Sequence, residues 1–234
     1  MPDIHLDVAP HRARAYLAEP TTPPPWPGVV LVHELFGLND DLRAKADRFA
    51  SKGYLALAPD LFSLGPKALC VLGAFRAISA RKGPAFDAIE TARAELAGRE
   101  SCTGRVGIIG FCMGGAFAVL SAPRFDFAAA SVNYGQVPKD APELLRGACP
   151  IVGSYGGKDL PLRGTAQRLE QALAANGVDH DVKEYPEASH SFLTQYDGVT
   201  GAVAKVTGIG FRAPAADDAW RRIDAFFERH LRAA

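Results

Sequence analysis

The feature that most restricts the fold of this chain is a repeated exchange of short apolar runs with longer helical patterns. Gly28-Val29-Val30-Leu31-Val32 is a continuous apolar run of strand length, approached through the Pro-rich stretch Pro20 to Pro27. Runs without polar alternation suit parallel strands buried on both faces. Leu42, Ala46 and Phe49 then recur at helical spacing across 40–52, Gly53 ends that helix, and Tyr54 to Ala58 reads as a second strand closed by Pro59-Asp60. A helix over 84–98 carries Pro84 in its first turn and sets Phe86, Ile89 and Leu96 on one side, with Arg93 the polar exception. Val106 to Ile109 is a strand and 113–122 an apolar helix; Phe127 to Val132 and Pro150 to Tyr155 are strands. A helix over 163–175 turns Leu169 and Leu173 inward and ends at Asn176-Gly177, His180 to Tyr185 is a strand, and the helix over 215–232 aligns Trp220, Ile223, Phe227 and Leu231. Residues 3–17 supply one or two leading strands. This order predicts an α/β chain, a mostly parallel central sheet flanked by helices on both faces. No linker divides it, so one domain over 1–234 is expected. The short stretch between the strands at 127–132 and 150–155 leaves no room for a large lid domain.

Composition narrows the function classes. Lys+Arg and Asp+Glu both number 26, so the chain lacks the basic excess that nucleic-acid binding calls for. No apolar run approaches the ~18–20 residues that cross a bilayer. Met1 to Ala9 carries Asp3 and Asp7 and has no signal-peptide pattern, so a cytoplasmic location without membrane partners is expected. Cys70, Cys102, Cys112 and Cys149 show neither C-x-x-C pairing nor metal-ligand spacing; free thiols and no metal site are the simplest reading. Three of them fit as small buried hydrophobes.

Cys112 stands apart. Residues 106–115 read Val-Gly-Ile-Ile-Gly-Phe-Cys-Met-Gly-Gly, a G-x-C-x-G sequence between a strand and a helix, which is the nucleophile-elbow arrangement with a thiol in the nucleophile's place. The flanking glycines let strand and helix approach while the nucleophile holds a strained backbone angle. The helix N-terminus beneath it favours a thiolate and offers the Met113 N–H to a developing oxyanion. An elbow of this kind predicts an acid and then a histidine later in the chain. Asp159, in Gly156-Gly157-Lys158-Asp159 after one strand, and His190, in Glu187-Ala188-Ser189-His190-Ser191-Phe192 after the next, meet that order. Asp159 by itself reads as a turn residue or helix cap, and a lone loop histidine as a solvated one. His33 is the rival base but precedes the nucleophile. In the ordered set, His190 would take the thiol proton or activate water, and Asp159 would fix its tautomer.

Beyond these pieces the chain resembles the dienelactone hydrolase (carboxymethylenebutenolidase) family of the α/β-hydrolase fold over nearly its whole length. The resemblance is carried by His33-Glu34-Leu35-Phe36-Gly37-Leu38-Asn39, Tyr54 to Leu61, Gly110-Phe111-Cys112-Met113-Gly114-Gly115, Gly157-Lys158-Asp159 and Ala188-Ser189-His190-Ser191-Phe192. It implies a Cys112–Asp159–His190 triad assisted by Glu34, which helps deprotonate the cysteine, and an oxyanion hole from the N–H groups of Leu35 and Met113. Substrate contacts are expected from Phe36, Tyr134, Phe192 and Thr194, and the family's second substrate-holding arginine is expected in 62–84, where Arg76 and Arg81 are both available. Two departures matter: of the two substrate-holding arginines of family lactone hydrolases, the one four residues after the catalytic histidine is Thr194 here, and the one in 62–84 has no single counterpart. A threonine cannot replace the charge of a guanidinium clamp. Segments 62–83 and 196–214 are expected to shape the pocket, the latter as a flap.

The expected activity is cysteine-dependent hydrolysis of small esters or lactones through an acyl-enzyme, without metal or organic cofactor, by a monomer or homodimer. The alternative is a non-catalytic ligand-binding module on a hydrolase scaffold. A thiol redox protein is a third reading, which lacks a nearby resolving cysteine in sequence.

Overall fold

A computed structural model of the chain describes residues 3–196 and 209–232. The two leading strands are separate: β1 (Asp3–Val8) and β2 (His11–Ala18) pair antiparallel. They are followed by β3 (Trp26–Val32), α1 (Asp40–Ser51), β4 (Leu55–Pro59), α2 (Lys67–Ala80), α3 (Pro84–Ala97), β5 (Cys102–Phe111) and α4 (Met113–Ser121). Then come β6 (Ala129–Asn133), the short α5 (Ala141–Leu144), β7 (Ile151–Gly156), α6 (Thr165–Ala175), β8 (His180–Tyr185) and α7 (Ala213–Leu231). One eight-stranded sheet results, ordered β1-β2-β4-β3-β5-β6-β7-β8. β2 runs antiparallel to β4, and every pairing from β4 to β8 is parallel.

The core lies on both faces of this sheet because successive residues of each strand point to opposite sides. Val30, Val32, Ile108 and Val132 pack with Phe86 and Ile89 of α3 and Phe117 of α4. Val29, Leu31, Ile109 and Val152 pack with Phe49 of α1 and Ile223 and Phe227 of α7. Phe86 meets Phe117 edge-on at 5.0 Å on the first face, and Phe49 lies 5.9 Å from Phe227 on the second. The helices form where the apolar spacing requires. Asn39 caps α1 by accepting from the Leu42 N–H, and Arg93, the polar exception in α3, pairs with Glu90 of the same helix at 2.6 Å.

Segment 62–83 contains more structure than the sequence suggests, since α2 occupies most of it. Its buried side chains are the small Ala74 and Ala77, whereas Leu69, Leu72 and Phe75 face solvent. With large apolar residues outward and small ones inward, the helix has no polar face for periodicity to reveal. The flap expected over 196–214 falls largely on residues 197–208, outside the described residues.

Candidate active site

Parallel pairing brings the C-terminal ends of β3, β5, β6, β7 and β8 to one edge, and there the chemistry-bearing loops collect. Val32 pairs with Gly110, Phe111 with Asn133 and Gly156 with Tyr185, so Glu34, Cys112, Tyr134, Asp159 and His190 each follow the end of one of five adjacent strands.

Cys112 sits between β5 and α4 with φ 55° and ψ −115°, a conformation outside the ordinary regions for a non-glycine residue. The surrounding contacts explain why the elbow needs glycine. A Cβ on Gly110 would lie 1.9 Å from the Gly114 carbonyl oxygen, and one on Gly114 would lie 2.1 Å from that of Val32. The Cys112 N–H donates to the Asn133 carbonyl at 3.0 Å, which ties the elbow to β6. Strain gathers here: Cys112, Tyr134 and Ser191 are three of the four non-glycine residues with positive φ among the described residues. Met113 opens α4, so its N–H has no partner within the helix. Leu35 stands on the facing β3 loop and is partly exposed.

The acid and the base come together across β7 and β8. His190 Nδ1 lies 2.5 Å from Asp159 Oδ2, which leaves its other nitrogen for the Cys112 thiol nearby. Burial acts to lower the His190 pKa, but the hydrogen bonds to Asp159 and Cys112 outweigh it and push the value up to about 10. Asp159 is buried, and the loops bearing the two residues are joined by the Lys158 N–H donating to the Ala188 carbonyl at 2.9 Å. Gly156 permits this approach, because a Cβ there would fall 2.6 Å from the Ser189 carbonyl oxygen. His33 is occupied elsewhere. Its Nε2 accepts from the Leu61 N–H at 3.0 Å and its Nδ1 lies 2.6 Å from the Glu34 carbonyl, an arrangement satisfied by the neutral tautomer protonated at Nδ1.

Glu34 is buried, and both of its carboxylate oxygens accept hydrogen bonds: Oε1 from the Thr194 hydroxyl at 2.9 Å and Oε2 from the Tyr196 hydroxyl at 2.7 Å. Because Thr194 gives its proton to Glu34, Tyr134, 3.1 Å from Thr194 Oγ1, is the donor in that pair. Behind them on α1, the buried Lys45 pairs with Asp41 and lies 3.5 Å from Thr194, and Asp41 also accepts from the Gln195 N–H at 3.2 Å. Burial and the nearby Glu34 charge raise the Tyr196 pKa well above its ordinary value, so its phenol stays protonated as a donor.

Thr194, at the position of the family's arginine, therefore turns its hydroxyl inward to Glu34. Tyr134 and Phe192 are also buried; Tyr134 packs against the His190 ring at 5.3 Å, and Phe192 packs against Tyr134 at 5.5 Å. Phe36 is exposed and meets Tyr196 edge-on at 5.6 Å. Of the two arginines, Arg81 is taken up by another partner. Arg81 pairs with Asp140 at 2.6 Å on the surface, its carbonyl held by Arg124 beyond the end of α4, and Arg76 is exposed on α2. Tyr196 carried no local signal in the sequence. It would have been found only by asking what satisfies a buried Glu34. Among the described residues, no group of three His, Cys, Asp or Glu side chains is placed to hold a metal ion, and no helix is long and apolar enough to cross a membrane.

Comparison with known proteins agrees with this architecture. Residues 13–231 match the model of the dienelactone hydrolase family. A Methylorubrum extorquens protein named "Putative carboxymethylenebutenolidase" is 30% identical, over 92% of this chain and 76% of its own length. The "Carboxymethylenebutenolidase" of Rhodococcus opacus is 28% identical, over 87% of this chain and 81% of its own. Among solved structures, the "Putative Dienelactone Hydrolase" of Klebsiella pneumoniae superposes with a TM-score of 0.81 at 25% identity, covering 97% of this chain and 98% of that one. The chain has the α/β-hydrolase fold and belongs to the dienelactone hydrolase family.

Proposed function

We propose that this enzyme hydrolyses small esters or lactones through an acyl-enzyme on Cys112, with His190 and Asp159 as base and orienting acid and Glu34 assisting. One observation carries the reading: His190 is held by Asp159 at 2.5 Å, beside a Cys112 thiol near enough to raise the pKa of its ring. His190 takes the thiol proton, and Cys112 Sγ attacks the carbonyl carbon as a thiolate. The carbonyl oxygen takes up negative charge between the N–H groups of Leu35 and Met113, where the N-terminus of α4 adds its dipole. Collapse breaks the bond from the carbonyl carbon to the leaving oxygen, which takes its proton from His190 Nε2. A thioester remains on Cys112.

His190, now neutral, removes a proton from water as the water attacks the thioester. The second oxyanion collapses, the carboxylic acid departs and Cys112 leaves as thiolate beside protonated His190. Asp159, accepting from Nδ1–H throughout, keeps Nε2 directed at the reacting atoms. Glu34 acts on the thiol from the β3 loop, at a position set by Thr194 and Tyr196.

The test is turnover of an activated aryl ester with intact-mass analysis of the quenched enzyme. The expected result is an acyl adduct on Cys112 and no turnover by a folded Cys112→Ala variant. Unchanged turnover by that variant would overturn the proposal.

A further inference from the structure

Resting on the reading just given, we infer that the site selects uncharged esters carrying an apolar acyl group and discriminates against anionic ones. Eight large hydrophobic residues are exposed among the described residues, and five of them flank the catalytic loops. Leu35 and Phe36 follow Glu34, and Leu160 follows Asp159. Ile209 and Phe211 lie beside the His190 loop, since the Gly210 N–H donates to the His190 carbonyl and the Arg212 N–H to that of Phe192. A concentration of exposed apolar side chains around a reactive centre marks where an apolar ligand is desolvated.

The charges agree. The site holds the buried carboxylates of Glu34 and Asp159 and the half-buried one of Asp41. Against them are the ammonium of Lys45, committed to Asp41, and the ring of His190, committed to Asp159. The balance is negative, and no cation in this group is left to face a substrate carboxylate. Thr194 presents a hydroxyl to Glu34, Arg81 is held by Asp140, and Lys158 beside Asp159 is held by Glu187 at 2.5 Å. A carboxylate brought within a few ångströms of Glu34 meets repulsion that none of these groups offsets.

The experiment compares p-nitrophenyl pentanoate with mono-p-nitrophenyl glutarate, which replaces the terminal methyl by a carboxylate, using the wild-type enzyme and Cys112→Ala. At low ionic strength kcat/KM should favour the pentanoate by on the order of tenfold or more, and added salt should narrow the gap. From acetate to pentanoate kcat/KM should rise roughly twofold or more per methylene. Leu160→Lys, a substitution at a highly exposed side chain, should reduce the preference by putting a cation on the rim. Cys112-dependent hydrolysis of the glutarate as fast as or faster than the pentanoate, or a flat chain-length series, overturns the inference while leaving the nucleophile in place. Hydrolysis of both esters that survives Cys112→Ala overturns the proposed function itself, and this inference with it.

Discussion

Replacing Thr194 by valine keeps the shape of the side chain and removes its hydroxyl, so it isolates the polar work done at a buried position. In the wild type that hydroxyl donates to Glu34 Oε1 at 2.9 Å and accepts from Tyr134 at 3.1 Å, and both partners are buried. Valine leaves one carboxylate oxygen and one phenol unpaired. A buried polar group deprived of its partner costs about 1–3 kcal/mol, and a charged one lies at the upper end. Two such losses, partly offset because Tyr196 still holds Oε2, amount to a destabilisation of about 3 kcal/mol. For a chain of this length that lowers Tm by roughly 6–12 °C. Thr194→Ser keeps the donor and acceptor and loses one methyl, which costs about 0.8 kcal/mol. Urea unfolding and thermal denaturation of the three proteins read this directly. If Thr194→Val proves as stable as the wild type to within about 0.5 kcal/mol, the range of an ordinary surface change, Glu34 does not depend on this hydroxyl and the account of its positioning is wrong.

Further tests follow from other parts of the site. Gly110→Ala would drive a methyl to 1.9 Å from the Gly114 carbonyl and should abolish soluble folded protein, whereas Gly73→Ala, with open space on α2, should be neutral or stabilising by up to about 1 kcal/mol; expression and denaturation compare the two. The raised His190 pKa means that its charged-state contacts stabilise the fold fully below its unfolded value near 6.5 and that this contribution fades as pH rises through about 10. The stability difference between wild type and His190→Gln should therefore shrink between pH 7 and 10, and a difference that grows over that range would contradict the assignment. Iodoacetamide at pH 7 should label Cys112 before the other thiols, because burial pushes Cys149 up to about 12 and also raises Cys70 and Cys102; peptide mapping by mass gives the order. Tyr196→Phe should lower kcat more than it raises KM if the phenol positions Glu34 for the chemical step, which steady-state kinetics will separate.

Much of this protein was legible in one dimension because the signals involved are local. Strand-length apolar runs and helix periodicity depend on neighbours within a few residues, and they locate most elements from β3 through α7. The elbow is equally local: G-x-C-x-G is a steric requirement of a single turn. The order cysteine, aspartate, histidine follows from the fold's connectivity, so it too could be read along the chain. α2 was missed because Leu69, Leu72 and Phe75 point outward and, among the described residues, its fully buried side chains are only the small Ala74 and Ala77.

Taken by itself, the sequence determined the fold class, the strained thiol between β5 and α4, and the loops from which an acid and a base would come. Tertiary structure alone decided what those loops do to one another. Sheet order set β3 beside β5, and therefore Glu34 on the elbow's side of the site. The contact between Glu34 and Thr194 spans 160 positions, and that between Arg81 and Asp140 spans 59. No periodicity reports such pairs, because they arise from the packing of distant segments on a shared sheet edge. In sequence Thr194 is a missing arginine; in the fold it is the hydroxyl that satisfies a buried carboxylate, and Arg81 is a surface partner of Asp140. A side chain's charge and shape are written in the sequence, but its partner is chosen by burial and distance.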